Sequence, residues 1–390
     1  MDKNIQKIID LVNASIKEEV FNQSIDSKDY QLIKDNQLIG LVYHSINKDM
    51  VNQDLIKKLK SDYYQYIRKD EIQIQLIEEL KVIFNKNNID FVFLKGSFLK
   101  HIYPESYMRP MGDIDVLVKN QSMTNIHSLL KNHGFINWSN SYAHDCFMKH
   151  KINVEIHPLL DSNIEGEYQD LFKNPWQYTM HLNGNEYLLS HEYNFFYQIY
   201  HMIKHLYRSG VGYRSLVDLF LFLNHYGIEM NKDTYQMIYN QFPKHKFVDY
   251  TIGLINKLFP GFLLKDYFIS DKIQVKNHEP FIQYLFYSGT HGLGETHNLF
   301  IGDMAKKHHK NKFIFLTKIE FLIKKTFLGL NQMKPNYSYL HKYPFLLPLA
   351  WIQRLIKLAF SKKSRSKLKR LQLNKEDIVK VEDLFNQIGI

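Results

Sequence analysis

Cysteine is almost missing from this sequence: Cys146 is the single one in 390 residues. That excludes an internal disulfide framework and a zinc site built from cysteines, and it fits a reducing, cytoplasmic setting. Long apolar runs are missing too, since no stretch reaches the roughly 20 residues that a membrane span requires. The nearest approach, PFLLPLAWIQRLIKLAF from Pro344 to Phe360, is interrupted by Pro348 and carries Arg354 and Lys357. A buried or interfacial helix is expected there, not an integral membrane segment. The N-terminus lacks the pattern of a secretory signal, because Ile5, Ile8, Ile9, Leu11, Val12 and Ile16 are spaced for an amphipathic helix with charges between them. The GxSxG elbow, the P-loop and the HExxH zinc motif are all absent, which makes covalent nucleophilic catalysis a poor fit.

What is present can build a sizeable core. Hydrophobic residues make up 45% and charged residues 23%, with 27 Phe and 26 Tyr, ordinary values for a soluble globular protein. The length exceeds what one core usually supports, so two or three structural units are expected. A formal charge of +10 and a pI near 9.1 suit an anionic partner such as a nucleotide, a nucleic acid or a membrane surface. Part of the excess is local, as six of the ten residues in SKKSRSKLKR, Ser361 to Arg370, are basic. A solvated connector explains that run as simply as a polyanion site does.

The periodicity divides the chain into three regions. Residues 1–88 read as a helical region, with apolar spacings of three and four around Leu32 to Ile46 and Ile56 to Phe84. Residues 89–185 read as a small α/β core. Its expected strands are Ile89 to Leu94, Ile114 to Val118 and Asn153 to His157, with short helices from Phe98 to Ile102 and Met123 to Asn132. Pro104 and Pro110 make Tyr103 to Met111 a loop. Residues 186–390 return to the helical period, at Tyr187 to Leu206, Tyr213 to His225, Thr234 to Gln241 and Phe313 to Leu328. The fold class expected is α+β, a small mixed sheet with large flanking helical regions.

The chemistry gathers in LKGSFLKHIYPESYMRPMGDIDVLV, Leu94 to Val118. On a strand, Asp113 and Asp115 project to one face while Ile114 and Val116 pack on the other. Two carboxylates that close repel, and a divalent cation with hard oxygen ligands, Mg2+ or Mn2+, is the simplest compensation. VEIHP offers a third acid, Glu155, which a neighbouring strand can bring beside the pair. Three carboxylates can hold two ions, and two ions about 3.5–4 Å apart can clamp a phosphoryl or nucleotidyl transfer. Upstream, Gly96 allows close backbone approach to a phosphate and Ser97 opens a helix whose N–H groups favour an anion. A lone Asp-x-Asp is as well explained by a surface pair. Joined to KGS before it and VEIH after it, the pattern becomes specific.

LKGS, RPMGDIDVLV and VEIH together resemble the polymerase β-like nucleotidyltransferase superfamily. They most resemble its largely uncharacterised bacterial nucleotidyltransferase family with KGS and RxxGDID motifs. The specific likeness covers about residues 91 to 160, and a weaker one continues through His201 to Leu219. The resemblance implies a metal-dependent enzyme that moves a nucleoside monophosphate from an NTP to a hydroxyl acceptor and releases pyrophosphate. It implies that Asp113, Asp115 and Glu155 bind the metals and carry catalysis. It also implies that Gly96 and Ser97 hold the nucleotide phosphates, with Lys95 or Arg109 touching phosphate as well. The acceptor, whether small molecule, protein or RNA, is left open.

Other features have plainer explanations. His201 and His205 stand at i and i+4, a zinc-compatible spacing without the rest of a zinc motif, so they read as packing or solvent-facing histidines. Arg214 and Asp218 share that spacing and read as an intrahelical ion pair, with a supporting role in the site as the alternative. Lys204 either reaches phosphate or faces water. Three glycines in SGTHGLGETHNLF, Ser288 to Phe300, read as a turn. A different functional class also stays open: a non-catalytic nucleotide-sensing or nucleic-acid/partner-binding protein that uses a basic helical surface.

Overall fold

The computed structural model describes residues 1–119, 123–140, 144–160, 166–208, 210–261, 277–290, 326–360 and 375–390, with 320 and 323. Before the sheet come α1 (Lys3–Ile16), α2 (Ser27–Asp35), α3 (Ile39–Val42) and α4 (Gln53–Lys86). The ends of these helices are written into the sequence. Asp2 accepts from the backbone of Asn4 to cap α1. Asp26 and Asp29 form a reciprocal capping box that starts α2. Asn52 caps α4, which runs for 34 residues.

The sheet has seven strands in the order β3-β4-β5-β2-β1-β7-β6. They are β1 (Phe91–Leu94), β2 (Asp113–Val118), β3 (Ile136–Asn140), β4 (Asp145–Lys149), β5 (Ile152–His157), β6 (Thr179–Asn183) and β7 (Glu186–Leu189). β1 lies antiparallel to β2 and parallel to β7, and β2 lies parallel to β5. The sheet is therefore mixed, and with its many helices the fold is α+β. Within this span sit α5 (Lys95–Leu99), α6 (Met123–Asn132) and α7 (Gln169–Phe172). After it come α8 (His191–Arg208), α9 (Arg214–Tyr226), α10 (Lys232–Gln241), α11 (His245–Leu258) and α12 (Glu279–Ser288), then helices Leu347–Phe360 and Lys375–Ile388.

Several local expectations shift. The helix expected from Tyr187 begins as strand: β7 runs to Leu189 and pairs with both β1 and β6, so the helix starts at His191. The sheet thus continues four residues past 185. β3, β4 and β6 are not among the expected strands: DCFMK lacks apolar alternation, and INWSN and TMHLN alternate over only five residues each. The first turn of α5 begins at Lys95, three residues before the expected Phe98. The expected helix from Phe313 to Leu328, most of the glycine-bearing segment from Ser288 to Phe300, and the basic run from Ser361 to Arg370 lie outside the described residues. No helix among the described residues is long and apolar enough to cross a membrane.

The sheet separates two apolar clusters. One contains Phe91, Phe93, Ile114, Val116, Val154 and Ile156, with the C-terminal half of α4 and Ile126 and Leu130 of α6. The other takes Val92, Leu94 and Leu117 from the opposite face. It joins them to α1 through Ile5 and Ile8, to α8 and α9, and to Leu384 and Phe385 of the last helix. The N-terminal and C-terminal helices thus share one core against one face of the sheet. α4 serves both clusters: Leu55, Leu59 and Tyr63 belong to the second, while Leu76, Ile77 and Leu80 belong to the first. The handover falls where the buried polar Asp70 and Gln73 sit, beside the loop that enters β2.

Candidate active site

Register sets the site before any side chain is considered. In the β2–β5 pair Asp115 lies opposite Glu155 and Asp113 opposite Asn153. Alternation puts Asp113, Asp115, Glu155 and His157 on one face, while Ile114, Val116, Val154 and Ile156 are fully buried on the other. The carboxylate face is the one that α8 and α9 cover. Between them lies a cleft of about 440 Å³ whose walls include Asp113, Asp115 and Glu155, within the ordinary size range of a small-molecule site.

Lys95 sits at the β1–α5 junction with φ of +50°, a left-handed conformation that costs a residue with a side chain about 1–2 kcal/mol. Its ammonium reaches Asp115 Oδ1 at 2.6 Å. Gly96 follows and has no room for a side chain, because a Cβ would run into the Arg109 guanidinium and stand 2.9 Å from Met111 Cβ. Lys95, Gly96 and Arg109 all line the cleft. Ser97 is placed differently: it is fully buried, and its Oγ accepts a hydrogen bond from the Asp115 backbone N–H at 3.1 Å. In this arrangement its hydroxyl holds β2 in place beside α5.

Asp115 has a second partner in His157, whose Nε2 lies 2.9 Å from Oδ1. The same nitrogen is 3.5 Å from Glu155, and His144 Nε2 is 3.5 Å from the other Glu155 oxygen. The electrostatics follow from this crowding. Burial, with Asp115 and Glu155 nearby, pushes the Asp113 carboxyl up to about 7. Burial acts upward on Asp115 as well, but Lys95 and His157 outweigh it and hold that carboxyl far below its usual range. Glu155 is lowered because the hydrogen bond from His157 overcomes its burial. His157 is raised in turn, since Asp115 and Glu155 outweigh the burial of its ring. Burial, with Glu155 adding to it, pushes the Cys146 thiol up to about 12, leaving a neutral group next to that carboxylate.

The loop from Arg109 to Gly112 is held from three directions. Arg109 gives Asp218 a two-pronged hydrogen bond, Nε to Oδ1 at 3.1 Å and Nη2 to Oδ2 at 2.9 Å. Arg214 donates to the Pro110 carbonyl at 2.9 Å and to Gln37. Lys69 and Gln73 of α4 both donate to the Met111 carbonyl, at 2.7 and 3.0 Å. The intrahelical pair expected between Arg214 and Asp218 is therefore replaced by contacts across the fold. Each residue grips the loop that delivers Asp113, which is the supporting role. On α8, His201 and His205 stand with their Nε2 atoms 3.0 Å apart and, with Lys204 and Arg208, line the cleft.

The side chains anticipated from sequence are thus brought together around one cleft, Ser97 lying beneath its surface. His144, His157, Lys69 and Gln73 are additions. His157 carried a readable signal, being two residues after Glu155 and so on the same strand face; the other three carried none. The donor set suits a divalent ion. Three carboxylates on one face share the cations of Lys95 and His157, and burial together with the other two keeps Asp113 partly protonated near pH 7. An ion at Asp113 and Asp115 would relieve that repulsion.

The family described as "Uncharacterised nucleotidyltransferase" matches residues 26–260, which run from the cap of α2 to just beyond α11 and include every strand of the sheet. The match covers more than half of the chain, and the chain belongs to that family. It is a transferase of the nucleotidyl-transfer class, and membership implies an NTP substrate. No curated protein and no solved structure matches it.

Proposed function

We propose that the protein is a Mg2+- or Mn2+-dependent nucleotidyltransferase that moves a nucleoside monophosphate from an NTP to a hydroxyl acceptor. The observation that carries this reading is the register of β2 and β5, which sets Asp115 opposite Glu155, with Asp113 one pleat away, at the floor of a basic-walled cleft. Asp113 and Asp115 would hold the metal and Glu155 would complete the set, the arrangement implied by the polymerase β-like resemblance. The bound ion supplies charge neutralisation for the phosphates and a more acidic acceptor hydroxyl.

The protein's own groups do the rest. Gly96 lets the triphosphate come close to the backbone, and Lys95 and Arg109 face it as cations. Ser97 fixes Asp115 from below. The acceptor oxygen attacks the α-phosphorus, the bond to the bridging oxygen of the β-phosphate breaks, and pyrophosphate leaves with that electron pair. A carboxylate of the trio takes the acceptor's proton. Positioning and charge account for most of the catalysis in such transfers. The acceptor enters from the side made by residues 186–390, where α8 presents Tyr197, His201, Lys204 and Arg208.

Calorimetric titration of the four NTPs, with and without Mg2+, into the native chain and the Asp113→Asn/Asp115→Asn variant tests this. Metal-dependent binding that the folded variant loses supports the reading and identifies the base. Binding that is indifferent to both aspartates, or no binding to the native chain, overturns it.

A further inference from the structure

Glu155 is bracketed by imidazoles: His144 Nε2 lies 3.5 Å from its Oε1 and His157 Nε2 lies 3.5 Å from its Oε2. The two rings are 5.0 Å apart between centroids. One ligand atom from each of the three residues falls within 4.8 Å of the others. Ligands that each stand about 2.0–2.2 Å from one ion lie about 3–4 Å from each other, so small side-chain rotations bring this trio onto a common centre. His157 and Glu155 share the interior strand β5, and His144 immediately precedes β4, its antiparallel neighbour.

The chemistry of this trio differs from that of the aspartate pair beside it. Asp113 and Asp115 offer hard oxygens, which suit Mg2+. Two imidazole nitrogens and one carboxylate suit a borderline transition ion better. We infer that His144, Glu155 and His157 form a second metal position next to Asp113 and Asp115, one whose imidazole nitrogens make it take a transition ion, Mn2+ included, in preference to Mg2+. Its part in nucleotidyl transfer rests on the reading above, whereas its ligand set does not. Loading it draws His157 Nε2 away from Asp115 Oδ1, which it now meets at 2.9 Å. Asp115 is thereby left to Lys95 and to the neighbouring ion, so filling one position prepares the other.

The probe is Mn2+ added to the full chain, read by pulsed electron paramagnetic resonance, in which imidazole nitrogen bound to the ion modulates the echo. Nitrogen modulation is expected in the native protein and should survive a tenfold excess of Mg2+. His144→Ala and His157→Gln should each weaken that Mn2+ site at least as much as loss of an outer-shell partner does, roughly 10–100-fold. Native-protein spectra showing oxygen ligands only would overturn the inference without any variant having to fold. Nitrogen modulation that persists in the His144→Ala/His157→Gln double variant, or Mn2+ displaced by equimolar Mg2+, would overturn it too. Asp113→Asn separates the two readings. If Mg2+-dependent NTP binding disappears and nitrogen modulation stays, both stand; if NTP binding ignores Asp113 and the modulation stays, only the transfer reading falls.

Discussion

Asp218 of α9 grips Arg109 through both carboxylate oxygens, at 3.1 and 2.9 Å, and also accepts from the Tyr103 hydroxyl at 2.7 Å. Arg109 and Asp218 are both buried. Removing one charge from such a pair strands the other, at a typical cost of about 3–5 kcal/mol. Asp218→Asn is therefore expected to destabilise the protein by that amount in a denaturant titration. Arg109→Lys should fall short of native stability as well, because an ammonium cannot make the planar two-pronged contact. Equal midpoints for native protein and Asp218→Asn would show that the pair does not anchor this loop.

Gly96→Ala tests how tightly the same loop is packed against α5. The new methyl would meet the Arg109 guanidinium, which Asp218 holds in place, and Met111 Cβ at 2.9 Å. Neither neighbour can retreat cheaply, so a loss of about 1–3 kcal/mol is expected, as for other overpacked sites. NTP affinity should fall with it, measured by calorimetry. A variant with native stability and native affinity would mean that the loop yields freely.

The spacing of Asp113, Asp115 and Glu155 was legible because it is a local property: a period of two on apolar strands puts alternating acids on one face whatever the rest of the chain does. The amphipathic helices at the N-terminus were legible for the same reason. Asp218 shows where such reading stops. Its nearest opposite charge in sequence terms is Arg214, one turn away, yet its partner is Arg109, 109 residues earlier. No periodicity encodes that contact. Likewise EYLL of β7 looks like the start of the helix that follows, and becomes strand only because β1 and β6 pair with it. His144, just before β4, meets Glu155 through strand pairing that DCFMK does not announce.

Lys95 and a metal ion compete for Asp115. The ammonium lies 2.6 Å from Oδ1 and is held strongly protonated there, its burial outweighed by the two aspartates. Lys95→Met removes that rival cation. Mg2+ binding in the absence of nucleotide is expected to tighten, whereas NTP binding loses a phosphate partner and should weaken. Parallel calorimetric titrations of Mg2+ alone and of Mg2+ with NTP check this. Weaker Mg2+ binding in the folded variant would show that Lys95 supports the ion rather than opposing it.

Asp113 gives the site a pH signature. Its carboxyl titrates near 7 in the folded protein against an ordinary value of 3.8, so the folded chain binds this proton more tightly than the unfolded chain does. The resulting stability is fully present below the ordinary value and is lost as pH rises through 7, in metal-free protein. Mg2+ at Asp113 requires the ionised form. Binding should then release close to one proton from this group at about pH 6 and almost none at about pH 8. The difference in proton release between native protein and Asp113→Asn, obtained from calorimetry in buffers of unlike ionisation enthalpy, isolates that contribution. Equal release from the two at the lower pH would mean that Asp113 is already ionised there, and that the pairing of like charges on β2 and β5 is relieved by something other than its proton.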